Sequence, residues 1–360
     1  MYDMHDSLPG LDLSVFESWM RRAHPELMAE APLDARLITG GLSNLSFAIS
    51  GGTAEWVLRR PPLGHVLTTA HDMAREYRVI SALGGTALPV PEAHFHSLDD
   101  DAAAGVGAEF FLMDLVDGTV MNARSDNTGL TTEQLRELGP ELGRTLALLH
   151  EVDPAQVGLA EFGRPEGFLT RQASRWKRQL DASRTRELAE LDALFDTLAA
   201  RIPESHFTSI LHGDFRLDNA LVRFADARPT ITAVLDWEMS TLGDSLTDLG
   251  LFGVYWGLHE IPGAAHSPLA SAIDPSAGYS DFAAIVDAYS STRSITVPDL
   301  SWYLAFASYK LAVILEGIHY RYTQGQTVGE GFDTVGALVP GLAASGLRHL
   351  TSDSRRKGQA

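Results

Sequence analysis

The stretch Ile210-Leu-His-Gly-Asp-Phe-Arg-Leu-Asp-Asn-Ala-Leu-Val222 limits what this chain can fold into more than any other. Two short apolar runs flank a segment that carries His212, Asp214 and Asn219, and a third run, Ile231-Thr-Ala-Val-Leu235, ends on Asp236. Short apolar runs bounded by turn formers read as buried strands. The pattern therefore predicts a strand, a polar loop, and a hairpin turning at Asp226-Ala-Arg-Pro229. One carboxylate at a strand end says little, because such residues often only cap a turn. Three polar residues set between runs that would otherwise be core say more. A carboxylate can orient a hydroxyl and take its proton, while an amide and a second carboxylate can offer hard oxygens to magnesium. Phosphoryl transfer requires those parts.

The order His212-x-Asp214, four residues, Asn219, then Asp236 after a hairpin is the layout of a kinase catalytic loop and its metal-binding Asp. Together with Leu235-Asp-Trp-Glu-Met-Ser-Thr-Leu-Gly-Asp-Ser-Leu-Thr-Asp-Leu249, this block resembles the aminoglycoside phosphotransferase family of kinase-like enzymes. Within that family it is most similar to the branch fused to acyl-CoA dehydrogenases in animals. The likeness runs from about Ile38 to about Tyr322.

The resemblance implies an α+β, protein-kinase-like two-lobed fold. A small antiparallel-sheet lobe with a leading helix would occupy residues 1–116, a mainly helical catalytic and substrate-binding lobe residues 117–350, and a disordered tail residues 351–360. ATP would sit between the lobes. Asp214 is the candidate catalytic residue, Asn219 and Asp236 the candidate metal ligands, and ATP and Mg2+ the expected cofactors. The acceptor would be a hydroxyl on a small molecule. Similarity to the dehydrogenase-fused branch favours a hydroxyacyl thioester, with an aminoglycoside antibiotic as the alternative. A nucleotide-binding pseudokinase acting as an interaction module is the competing class. An Ala-Pro-Glu anchor is not visible after Asp236, so protein-kinase activity is not expected. Trp237-Glu-Met-Ser-Thr-Leu-Gly243 is expected to run directly into the next helix.

Upstream, Leu11 to Arg22 has apolar residues at helical spacing. Two strand-like runs flank Gly40-Gly41-Leu42-Ser43-Asn44, a turn whose glycines allow close backbone approach to phosphates, with Ser43 and Asn44 adding hydrogen bonds. In the next strand, Trp56-Val-Leu-Arg59, alternation separates Val57 and Arg59 from Trp56, Leu58 and Arg60. Arg59 is the candidate phosphate contact in the place of a kinase lysine, with Arg60 as substitute; an arginine keeps the charge and adds bidentate pairing. Thr69 to Leu83 reads as a helix, and the resemblance makes its Glu76 the ion-pair partner of Arg59. The strand Ala108 to Val116 would run into a hinge, where backbone groups at Asp114 and Val116 take the adenine edge and Met113 guards the pocket.

Farther on, Thr131 to Glu151 is a helix opened by a Thr131-x-x-Gln134 capping box. Arg164 to Arg186 is basic, and Leu188 to Leu198 is a packing helix. Asp244 is expected to cap a helix and Asp248 to brace the catalytic loop. Trp302 to His319 is strongly apolar but interrupted by Lys310 and Glu316, so it reads as a buried helix and not a membrane span. A net charge of −19 argues against sequence-independent nucleic-acid binding, and the absence of cysteine removes disulfides and thiolate chemistry. The acidic Met1-Tyr-Asp-Met-His-Asp6 lacks the layout of a signal peptide, so a cytoplasmic location without membrane partners is expected.

Overall fold

The computed structural model describes residues 8–38, 44–63, 72–99, 103–225, 228–326 and 332–357. It divides into two compact units, Met1–Asp117 with Thr232–Glu238, and Gly118–Ile231 with Met239–Ala360.

In the first unit, helix α1 (Leu13–Ala23) is followed by strands β1 (Asp34–Ile38), β2 (Leu45–Ser50) and β3 (Trp56–Arg60), helix α2 (Met73–Leu83), and strands β4 (Ala93–Ser97) and β5 (Phe110–Asp114). The strands form one sheet in the order β1-β2-β3-β5-β4, with antiparallel neighbours throughout. Period-two alternation divides its side chains between two faces. Phe47, Ile49, Trp56, Leu58, Phe110 and Leu112 join Phe16 and Met20 of α1 in one core. Each large side chain buried there contributes about 1.5–3 kcal/mol before the entropy of ordering is counted. The other face carries Val57, Arg59, Phe111 and Met113, on the same side as α2, whose Tyr77 ring lies against Phe111. Side-chain caps open both helices: Asp12 accepts from the Val15 amide and Asp72 from the Arg75 amide. The stripe that α1 buries is centred on Phe16 and Met20, while Val15 is exposed.

The second unit is mainly helical. After the short strand β6 (Thr119–Val120) come α3 (Thr132–Glu151), α4 (Phe168–Ser183) and α5 (Ala189–Ala199). The capping box forms, with Thr131 accepting from the Gln134 amide and Gln134 accepting in return. Strands β7 (Thr208–Leu211), β8 (Ala220–Arg223), β9 (Thr230–Val234) and β10 (Thr241–Asp244) follow, then α6 (Leu246–Trp256), α7 (Phe282–Arg293), α8 (Ser301–Thr323) and α9 (Leu338–Lys357). Helix α8 is the buried helix the apolar run predicts, packed against α4, α5, α6 and α9. Its Glu316 is fully buried and ion-paired with Arg186 at 2.8 Å. Among the described residues, no helix is long and apolar enough to cross a membrane.

Two local expectations are corrected. Trp237–Gly243 does not run straight into a helix: β10 intervenes and pairs antiparallel with β7, Thr241 opposite Leu211 and Asp244 opposite Thr208. The tail expected to be disordered from residue 351 is helical as far as Lys357, because α9 simply continues. Extending a nucleated helix fixes one residue for each hydrogen bond gained, so it needs no apolar stripe of its own.

Candidate active site

In the first unit the site is built on three charges. Arg59 projects from β3 and donates from Nε to Glu76 Oε2 at 2.9 Å and from Nη2 to Asp236 Oδ1 at 2.7 Å. Glu76 is only 1% exposed. Burial pushes its carboxyl above the usual range, and Arg59 pulls it back only in part. Burial also works against the guanidinium charge, but Glu76, Asp236 and Glu238 outweigh it and keep Arg59 firmly protonated. Asp236 adopts a left-handed backbone with φ 66°, a conformation that is costly for a residue with a side chain. The surrounding chain holds it there. The Val234 amide donates to the Pro89 carbonyl at 2.9 Å, and the buried Trp237 indole donates to the Val234 carbonyl at 3.0 Å.

The alternatives around this cluster separate cleanly. Arg60 points to the opposite face and donates to the carbonyls of Gly10 and Val106 at 2.6 and 2.7 Å. Asn44 is buried and donates to Glu238 Oε2 at 3.5 Å. Ser43, with the rest of the expected glycine turn, lies outside the described residues. At the hinge, Met113 is buried, and Asp114 is held through its carboxylate by His94 at 2.8 Å. The Asp114 and Leu115 amides donate to the carbonyls of Glu92 and Glu55. Val116 follows directly and is half-buried.

In the second unit the site is built on hydrogen bonds. Strand β7 delivers His212-Gly213-Asp214, and Gly213 sits at φ 84° with the Met239 carbonyl 2.5 Å from where a Cβ would be. Only glycine fits that turn without strain. Asp248 of α6 accepts from the His212 and Gly213 amides at 2.7 and 2.9 Å, so it braces the loop through its backbone. Burial opposes the Asp248 charge, but the hydrogen bond from His150 and the His212 amide outweigh it and hold the carboxyl below its ordinary range. His150 lies behind, fully buried, with its ring nitrogens on Asp248 at 3.3 Å and the Tyr289 hydroxyl at 2.8 Å. Burial pushes its pKa down, so it is neutral.

The Asp214 carboxylate is fixed at both oxygens. Tyr255 donates to Oδ1 at 3.0 Å, and Asn219 Nδ2 donates to Oδ2 at 3.2 Å and to the Asp214 carbonyl at 2.9 Å. Burial raises the Tyr255 pKa and so keeps the phenol a donor. Its ring lies under Arg216 at 4.4 Å, and Arg216 also pairs with Asp218. Because Asn219 spends its amide hydrogens on Asp214, the amide oxygen is the atom it has to offer, and an amide oxygen is a ligand magnesium accepts. Asp236 is 30% exposed and engages Arg59 through Oδ1. Each of these residues, taken within its own unit, thus offers an oxygen of the kind a hard cation accepts.

Sequence reasoning missed Tyr255, Lys310 and His150. Lys310 of α8 donates to the Gly213 carbonyl at 2.8 Å. The first unit thus holds the Arg59–Glu76–Asp236 triad, and the second the Asp214 loop braced by Asp248.

Comparison with known proteins supplies the class. The model of the phosphotransferase enzyme family matches residues 34–275, and the chain belongs to that family. A solved structure from Ralstonia eutropha, assigned to the aminoglycoside phosphotransferases, is 30% identical with a TM-score of 0.79, covering 95% of this chain and 98% of the other. Among curated proteins, acyl-CoA dehydrogenase family member 11 of Gallus gallus is 33% identical over 324 residues, 88% of this chain but 40% of the relative. The chain thus spans about two-fifths of the length of that relative. A more distant structure, a ternary complex of an aminoglycoside phosphotransferase with AMP-PNP and hygromycin B, shares the fold at a TM-score of 0.60 and 16% identity, covering 92% and 98% of the two chains.

Proposed function

We propose that the chain is an ATP- and magnesium-dependent phosphotransferase that moves the γ-phosphoryl group to an alcohol on a small molecule, with a hydroxyacyl thioester as the favoured acceptor. The observation that carries this reading is the Asp214 carboxylate, fixed by Tyr255 and Asn219 on a loop that Asp248 braces. A carboxylate held at both oxygens is aimed before substrate arrives, which is how positioning contributes to phosphoryl transfer. Asp214 orients the acceptor hydroxyl and takes its proton. Asn219 and Asp236 would hold magnesium, which when bound neutralises charge on the phosphates. Arg59, kept in place by Glu76, pairs with the α- and β-phosphates, with Asn44 and Ser43 at the turn, and the backbone near Asp114 and Val116 reads the adenine beside Met113. We take the location to be cytoplasmic.

The charges near the acceptor weigh on the choice of substrate. Most acids between Glu238 and Leu300 have structural roles. Asp244 accepts from the Leu246 amide and the Tyr303 hydroxyl, Asp248 braces the loop, and Asp274, Asp281 and Asp299 cap local structure. That leaves little carboxylate to meet a polycation and disfavours an aminoglycoside. The basic segment is also partly spent: Lys177 pairs with Asp181, and Arg171 donates to the carbonyls of Arg164 and Glu166. The test is a screen of hydroxylated metabolites, acyl thioesters and aminoglycosides for ATP-dependent gain of one phosphate by mass. Gain on a hydroxyacyl thioester is expected. Efficient modification of kanamycin and of no thioester would replace this reading with the antibiotic one, and an ATP-binding protein that modifies nothing would favour the interaction module.

A further inference from the structure

The chain carries only three lysines, at positions 177, 310 and 357, against twenty-five arginines. Lys177 pairs with Asp181 at 2.5 Å on the surface of α4. Lys310 is different: it lies in the middle of helix α8, half-buried, with its ammonium 2.8 Å from the Gly213 carbonyl and 5.6 Å from the centre of the Trp176 ring. Arg175, the neighbour of Trp176, is exposed, with its guanidinium 5.7 Å from the centre of the same indole. Among the described residues neither cation is ion-paired with a carboxylate, whereas Arg59, Arg184, Arg186 and Arg216 all are. Taking the Lys310 ammonium partly out of water costs free energy, and Asp214 and Asp248, near enough to favour its charge but not ion-paired with it, offset that cost only in part. One carbonyl and one aromatic face repay part of that, and the ammonium has three hydrogens to place.

The geometry points to a subsite for an anionic group of the acceptor, carboxylate or phosphate, held by Lys310 and Arg175 over Trp176, next to the residue that receives the hydroxyl proton. The inference rests on the phosphotransferase reading and names the substrate class of the same site: an acidic alcohol, not a cationic or neutral one. A compact ammonium suits the position because the Gly213 carbonyl already takes one hydrogen from the loop side, and the remaining two can rotate to a ligand, which the flat guanidinium fork cannot do in the same space. Burial is the main cause that pushes Lys310 below the ordinary lysine range; Asp214 and Asp248 oppose it, and Arg175 adds to it. Arg175 is thus near enough to Lys310 for the two charges to oppose each other, a cost that a shared anion removes. Lys310 also ties the Gly213 carbonyl while Asp248 ties the Gly213 amide, so an anion drawn to Lys310 lies within reach of Asp214.

The test uses the full-length chain labelled with 13C at lysine Cε and saturated with magnesium-ADP. Three lysine signals are expected, and Lys310→Arg identifies the one that matters. Inorganic phosphate and 3-hydroxybutyrate are titrated separately, with the methyl ester of 3-hydroxybutyrate as the uncharged control. The Lys310 signal should shift and saturate with at least one anion while the Lys177 signal stays in place, and Arg175→Ala should weaken the half-saturation point roughly tenfold, the loss of one charged contact. Tighter response to phosphate assigns a phosphate-bearing acceptor, and tighter response to 3-hydroxybutyrate a carboxylic acid. A Lys310 signal that neither anion moves, that the ester moves equally, or that Arg175→Ala leaves unaltered overturns the subsite. Failure of the phosphotransferase reading would show separately, as absence of any rise in melting temperature with magnesium-ADP.

Discussion

The candidate residues of the two units are held by different physics. In the first unit three charged groups lock one another: Glu76, Arg59 and Asp236, with Glu76 almost fully buried. In the second unit the Asp214 carboxylate is held by hydrogen bonds from Tyr255 and Asn219, on a loop whose amides donate to Asp248. Attraction between charges falls only as the inverse of distance and depends little on angle, so such a cluster tolerates the exchange of phosphates and a cation that is proposed for it. A hydrogen-bond network has strong directionality, so it suits a carboxylate that must point at one hydroxyl. If the first unit binds phosphates and the second aims a base, as proposed, mutations in the two units should fail differently.

The sharpest break should come at Asp214. Asp214→Asn keeps the shape and one acceptor oxygen, so nucleotide affinity should stay near the parent's while turnover falls about a hundredfold or more. Equal loss of nucleotide binding would erase the division between the units. Next come the metal ligands. Asp236→Ala should weaken magnesium-dependent nucleotide binding, measured by calorimetry, more than Asn219→Ala does, because it removes a formal charge. If both bind as the parent does, the cation is held by other residues.

Stability sharpens the contrast further. Arg59→Met leaves Glu76 buried without its partner and should cost about 3 kcal/mol, the scale for orphaning one member of a buried pair. Glu76→Gln in the same background should recover much of that loss, since it removes the orphaned charge. Denaturant unfolding of the single and double variants checks both. The smallest expected effect is the pH dependence that His150 gives the second unit. His150 has a folded pKa lowered by burial from 6.5, so the unfolded chain takes up a proton that the folded one refuses. Its contribution is therefore complete above about pH 6.5 and declines as the pH falls below that value, at a slope of no more than ~1.4 kcal/mol per pH unit for one proton. Asp248, with its pKa held down, adds a further loss only at much lower pH. His150→Gln should flatten the melting-temperature profile between pH 7 and pH 5.

Much of this arrangement was legible in the chain because it depends on short spacings. His212, Asp214 and Asn219 lie within one loop, and Arg59 separates from Arg60 by strand alternation alone, which the structure reproduces in their partners. The ion pair with Glu76 was not legible from the helix alone, where a glutamate is by default a solvated charge; the family resemblance supplied it, and the structure forms it. What could not be read comes from far along the sequence. Tyr255 meets Asp214 across 41 residues, and Lys310 meets Gly213 across 97. Lys310 did leave a trace, since a lysine inside an apolar helix needs a reason, but the trace does not say which carbonyl it reaches. Strand β10 was hidden for another cause. Thr241-Leu-Gly-Asp244 has one large apolar residue, and its Gly243 is there because a Cβ would stand 2.7 Å from the Phe168 ring. Close packing chose a residue that, read locally, argues for a turn.

The proposed transfer of a phosphoryl group from a magnesium-bound nucleotide, under the control of Asp214 and Asp236, can be tested before the acceptor is known. The direct measurement is the slow hydrolysis of ATP by the purified protein, followed as inorganic phosphate with and without magnesium. Water then stands in for the acceptor, so no knowledge of the true substrate is needed. The account predicts hydrolysis that requires magnesium, is abolished by Asp236→Ala, and falls about a hundredfold in Asp214→Asn. Hydrolysis that survives Asp236→Ala at the parent's rate, or a parent protein whose melting temperature does not respond to magnesium-ATP, would contradict it.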